Sequence, residues 1–108
     1  MSRIAIEGRS ADQPVTVVIG WDRPTQSCFL QLELSDEQVD NPALASAADV
    51  SLEMLFKPLS LAEVEDGLHR ANVLVPEAAF AVLKEHVTYD VGNVSLKFDA
   101  AGNCTQVG

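Results

Sequence analysis

The chain reads as an α+β domain: an antiparallel sheet of about four to five strands with two helices packed on one face. Three observations predict it. Cys28 to Leu34 alternates strictly, with Cys28, Leu30, Leu32 and Leu34 on one side and Phe29, Gln31 and Glu33 on the other. Ser60 and Glu63 form a capping box ahead of apolar residues spaced by three and four. Asn93 to Phe98 alternates again, so strands precede and follow the helices without a regular βαβ repeat.

From the N-terminus, Ile4-Ala5-Ile6 is a short alternating piece ended by Gly8 and the polar run GRSADQP, and it reads as an edge strand. Val15 to Trp21 is rich in Val, Ile and Thr, which suit a pleated surface. It and Cys28–Leu34 flank a polar loop containing Pro24, the pattern of a β-hairpin. Asn41-Pro42 offers a helix cap followed by proline at the first helical position, with ALASAAD to fill the turns; a loop is the competing reading. Val50 to Phe56 places Val50, Leu52, Met54 and Phe56 against Ser51, Glu53 and Leu55, which predicts a strand ended by Pro58. Leu61, Val64, Leu68 and Ala71 predict an amphipathic helix over 61–71. Pro76 opens a second helix reaching about Tyr89, with Phe80, Leu83 and Val87 on its stripe and Gly92 as its stop. Val94, Leu96 and Phe98 then form a strand, 99–103 a turn, and Cys104 to Val107 a short return strand.

Length and composition fit one domain over 1–108 with a sizeable core: 108 residues, 47% apolar and 21% charged. No stretch approaches the roughly 20 apolar residues that cross a bilayer, and MSRIAIEGRS has no apolar core of a secretory signal. The expectation is a cytoplasmic protein with no membrane partner. Cys28 and Cys104 lie 76 residues apart and are expected as free thiols. His69 and His86 fall on separate predicted helices with no C-x-x-C nearby, so neither a metal nor another cofactor is expected.

Charge is the most informative bulk property. The chain carries −9, and Glu33 to Asp66 contributes nine acids against one base, Lys57. That segment holds −8 and the remainder −1. Such a field repels phosphate backbones, which argues against direct nucleic-acid binding, and attracts a basic surface on another protein. Glu63, Glu65 and Asp66 suit the positive start of their helix. Asp36, Glu37, Asp40, Asp49 and Glu53 have no such local reason and are the candidate protein-binding acids.

Catalytic templates are missing. The sequence holds no phosphate-binding glycine loop and no G-x-S-x-G elbow, and neither cysteine sits in a catalytic signature. His86 and Asp90 are four apart on one helical face, so a base oriented by a carboxylate is the enzymatic or ligand-binding alternative; a histidine on the rim of an amphipathic helix is the favoured reading. His69 beside Arg70 suits a helix C-terminus. The expectation is a non-catalytic protein.

At the hairpin tip, Pro24 presets a turn dihedral and Asp22 is a turn-forming residue. Trp21 either closes the end of the core or stands out beside Arg23 as a contact anchor, both being residue types enriched at binding hot spots. Gly20-Trp21-Asp22-Arg23-Pro24, followed by Phe29, resembles a group of short uncharacterised bacterial proteins with a G-W-D-x-P…F-F hairpin, often found on mobile genetic elements. The likeness covers about a fifth of the chain; Leu30 stands where the second Phe would be, and the downstream half matches poorly. It implies the hairpin and a bacterial or mobile-element origin, and it transfers no functional residue. The sequence therefore reads as a small acidic module that binds a protein with a basic surface. Its sharpest form is an inhibitor mimicking nucleic-acid phosphate, of the anti-CRISPR or anti-nuclease type. A homo-oligomer, such as a homodimer paired through a free sheet edge, is a further alternative.

Overall fold

The computed structural model describes residues 1–107. Strand β1 (Ser2–Ser10) pairs antiparallel with β2 (Gln13–Asp22), and β2 pairs antiparallel with β3 (Ser27–Glu33). The β1–β2 connection is Ala11-Asp12 alone, with φ of 48° and 62°. Two successive left-handed residues make the type I′ turn that matches strand twist. β1 is thus not the short edge strand expected from Ile4-Ala5-Ile6. It runs nine residues and lies inside the sheet. Its ends look polar because small serines occupy inward positions. Ser2 Oγ accepts the Trp21 N–H at 3.0 Å, and Ser10 Oγ donates to the Ala71 carbonyl at 2.9 Å, so both are satisfied inside.

Helix α1 (Asp36–Val39) begins with a capping box between Ser35 and Gln38, and the Gln38 amide also donates to the Pro14 carbonyl at 2.7 Å. A single 3-10 turn, Pro42–Leu44, follows, with the Asn41 side chain accepting from Ala43 N–H as the sequence suggests. It leads directly into helix α2 (Ala45–Met54). The strand expected over Val50–Phe56 is therefore helical as far as Met54. Ala47, Val50 and Met54 are its buried residues, spaced by three and four, and this period overrides the local alternation. Helix α3 (Leu61–Arg70) starts at the predicted box, with Ser60 Oγ accepting Glu63 N–H and the Glu63 carboxylate accepting Ser60 N–H. Strand β4 (Val73–Leu74) pairs with the far end of β1.

Helix α4 (Glu77–Thr88) ends on Asp90, not on Gly92. Asp90 has φ of 49°; its N–H donates to the Val87 carbonyl and the Val91 N–H donates to the His86 carbonyl. That pair of bonds is a Schellman cap, with aspartate in the position glycine usually fills. Strand β5 (Val94–Phe98) then runs parallel to β1, and β6 (Cys104–Gln106) returns antiparallel to β5.

The sheet order is β3-β2-β1-β5-β6, with β4 beside β1. The fold is α+β, but the sheet is mixed and not purely antiparallel. A parallel neighbour needs a long crossover, and the helical middle of the chain supplies one. The register puts Ile4, Ile19 and Leu30 side by side, and likewise Ile6, Val17 and Leu32. These residues share one cluster with Ala47, Val50 and Met54 of α2, Val64 and Leu68 of α3, and Ala79 and Leu83 of α4.

Candidate functional site

The hairpin tip is a joint between distant elements. Arg23 to Gln26 form a turn closed by Gln26 N–H donating to the Arg23 carbonyl at 3.2 Å, with Gln26 left-handed at φ 53°. Trp21 is only 7% exposed, and its indole Nε1 donates to Asp90 Oδ1 at 2.9 Å. Gln26 Nε2 donates to the same oxygen at 3.0 Å, and Arg23 Nε to Oδ2 at 3.1 Å. These donors, Trp21 foremost, hold the Asp90 carboxyl below its ordinary range. Trp21 is thus a core residue, correcting the alternative in which it stands out as a contact anchor. Arg23 is tied to the cap of α4.

Gly20 is set by the same packing. A Cβ there would lie 2.1 Å from the Ser2 carbonyl oxygen and 2.5 Å from the Phe29 ring, which covers Gly20 from the paired position on β3.

The five candidate acids all fall on helical segments or their caps, where the sequence suggested a loop for Asp36, Glu37 and Asp40, a short helix or loop for Asp49 and a strand for Glu53. Asp36 and Glu37 occupy the first turn of α1 and Asp40 its C-cap. Their positions in that turn have a dipole rationale that the sequence reading did not see. Asp49 and Glu53 lie one turn apart on α2, and all five are exposed. Glu53 is engaged: Arg70 of α3 holds its carboxylate through both guanidinium Nη atoms, with Asp66 3.7 Å from the same group. The Arg70 hydrogen bond pushes the Glu53 carboxyl down. Asp36, Glu37, Asp40 and Asp49 are in none of the ion pairs among the described residues.

Beyond α2 the chain makes a turn that sequence reasoning missed. Leu55 sits at φ −61°, ψ 124°, Phe56 at φ 58°, and Lys57 N–H donates to the Met54 carbonyl at 3.2 Å. That is a type II turn with phenylalanine in the position that calls for glycine. Phe56 is 90% exposed, and Leu52, four residues earlier, is 75% exposed. The aromatic ring thus gains nothing from burial while its backbone occupies a region that costs a side chain about 1 kcal/mol or more. The signal was present in the sequence, since Phe56 falls outside the Ala47-Val50-Met54 stripe, but it is visible only once the segment is read as helical.

His86 is 8% exposed, and burial pushes its imidazole down from the ordinary value. Its Nδ1 has no partner among the described residues, while Asp90 is held by Trp21, Gln26 and Arg23. The arrangement does not supply the oriented base suggested by their spacing. Both cysteines are free thiols: Cys28 is buried, which pushes its thiol up, and Cys104 is exposed. Among the described residues no three His, Cys, Asp or Glu side chains group as metal ligands, and no helix is long and apolar enough to cross a membrane. The chain matches no protein-family model, and comparisons with curated proteins and with solved structures return no match.

Proposed function

We propose that this chain is a non-catalytic protein-binding module whose contact surface is the exposed face and end of α2. Phe56 and Leu52 act as apolar anchors. Asp49 and Glu53, the latter held by Arg70, lie with Leu52 on α2, and Asp36, Glu37 and Asp40 extend the negative charge onto α1. The observation that carries the reading is Phe56, an exposed aromatic in a backbone position suited to glycine. Strained backbone positions cluster at functional sites, and here the strain coincides with an aromatic ring left in solvent. A few aromatic anchors dominate most interfaces, within a rim that excludes water. The partner is a protein with an apolar pocket bordered by basic residues, and the acids raise association rate and selectivity.

In its narrower form the partner is a nucleic-acid-binding complex in the cytoplasm, and the module is a mobile-element inhibitor that occupies its phosphate-binding groove, as anti-CRISPR and anti-nuclease inhibitors do. Nucleic acid then competes with it. Replacing Asp36, Glu37, Asp40 and Asp49 with Asn or Gln tests the charge contribution. Melting should barely move, because exposed charges contribute little to stability. Proteins captured from a bacterial lysate at low salt should be lost, as they should be from the unaltered chain at about 0.5 M salt. Capture that survives both changes rejects the reading.

A second reading rests on β6, a sheet-edge strand whose three residues are all exposed. A homodimer paired through that edge would persist in sizing experiments whatever the salt concentration.

A further inference from the structure

The chain has only seven lysines and arginines. Arg23 and Arg70 are committed to Asp90 and Glu53, Lys84 lies over the Phe80 ring, and Arg9 donates to the Asp12 carbonyl. Two of the rest, Arg3 and Lys57, line one groove of about 530 Å³ between β3 and the α2–α3 connection. Its apolar walls include Phe29, Met54 and Phe56, and Asp22 is the one acid among the lining residues. Lys57 takes part in none of the ion pairs among the described residues. Arg3 stands 3.6 Å from Glu33 with both side chains about half exposed, a contact weak enough to be exchanged.

The groove thus inverts the charge of the molecule. The comparable cavity between α3 and α4 is lined by Glu65, Asp66 and Glu77 and would repel an anion. The volume falls within the roughly 300–1,000 Å³ of small-molecule sites, which pair apolar walls with a few placed polar groups. Met54, only 4% exposed, closes the floor of the groove beneath the two aromatic rings, where its polarizable side chain senses what lies above it.

We propose that this groove binds a small amphipathic anion free in solution, an unbranched apolar chain ending in a carboxylate. The carboxylate meets Arg3 and Lys57, and the chain lies along Phe29, Met54 and Phe56. The proposal does not rest on the partner-binding reading.

The test uses the full chain with methyl-labelled methionine and three probes below their aggregation concentrations: decanoate, decanol and decylamine. Decanoate should shift the Met54 methyl resonance saturably, with decylamine binding more weakly than decanol. Arg3→Gln with Lys57→Gln should weaken decanoate about five- to tenfold, the sum of two exposed charge contacts. Decanol affinity should stay unchanged, and Arg9→Gln, outside the groove, should have no effect. A melting temperature equal to that of the unaltered chain establishes that the double variant is folded. Single-lysine and single-arginine variants read the same contacts if it is not. Equal affinity for all three probes, decanoate binding indifferent to the charge substitutions, or an unmoved Met54 methyl overturns the proposal. So does co-sedimentation with phosphatidylglycerol vesicles without binding of monomeric decanoate.

Discussion

Trp21 and Asp90 lie 69 residues apart, and the indole N–H of the first donates to Oδ1 of the second at 2.9 Å. The bond joins the tip of the β2–β3 hairpin to the cap of α4, using an aspartate whose own backbone is left-handed. One residue therefore ends a helix and fixes a hairpin. Asp90→Ala should lower the melting temperature by roughly 5 °C or more, because it leaves the covered indole N–H without an acceptor and loses a residue tolerant of that backbone. Asp90→Asn, which retains a carbonyl oxygen and tolerates the left-handed region, should cost clearly less. Equal losses in thermal melts of the two variants would show that the acceptor is unimportant.

Gly20→Ala should destabilise by about 1–3 kcal/mol, the usual effect of overpacking a filled site, because its Cβ meets the Ser2 carbonyl and the Phe29 ring. Adding Phe29→Leu relieves only the contact with the ring, so the double variant should recover part of the loss in urea titration.

The type I′ turn at Ala11-Asp12 uses residues less suited to positive φ than Asn-Gly. Ala11→Asn with Asp12→Gly should raise unfolding stability by about 1 kcal/mol. Partner capture should not change, since these residues lie outside the proposed surface.

Stability should fall in two stages on acidification. Burial holds the His86 imidazole below its ordinary value of 6.5, so the unfolded chain takes up a proton that the folded chain refuses. The contribution of neutral His86 is complete above pH 6.5 and declines as pH drops below it. Asp90, held down first by the Trp21 N–H, and Asp99, held down first by the Asn103 N–H, act lower. Their contribution is complete above the ordinary value of 3.8 and is lost as pH falls through their depressed folded values. Urea midpoints measured across this range should therefore decline in both windows, and His86→Leu should flatten only the first.

Strands β2 and β3, the capping box of α3 and the return of β6 are legible in the sequence because each is written in local spacing or local chemistry. The extent of β1 is not, since Ser2 and Ser10 look like surface residues until Trp21 N–H and the Ala71 carbonyl are seen beside them. Helix α2 is obscured because period-two and period-three-to-four patterns overlap in Val50–Phe56, and the deciding Ala47 lies upstream. The β1–β5 pairing has no local signature. For the candidate surface, the acidic segment is visible as composition, whereas the engagement of Glu53 by Arg70 and the prominence of Phe56 depend on how α2 and α3 meet.

Phe56→Gly separates fold from binding most directly. Removing the side chain from its left-handed turn should raise stability by up to about 1 kcal/mol, measured by urea unfolding. The same variant, assayed beside the unaltered chain for low-salt capture of bacterial proteins, should lose the salt-sensitive partner. Capture at the unaltered level by this well-folded variant would contradict the assignment of the α2 surface as the place where the protein works.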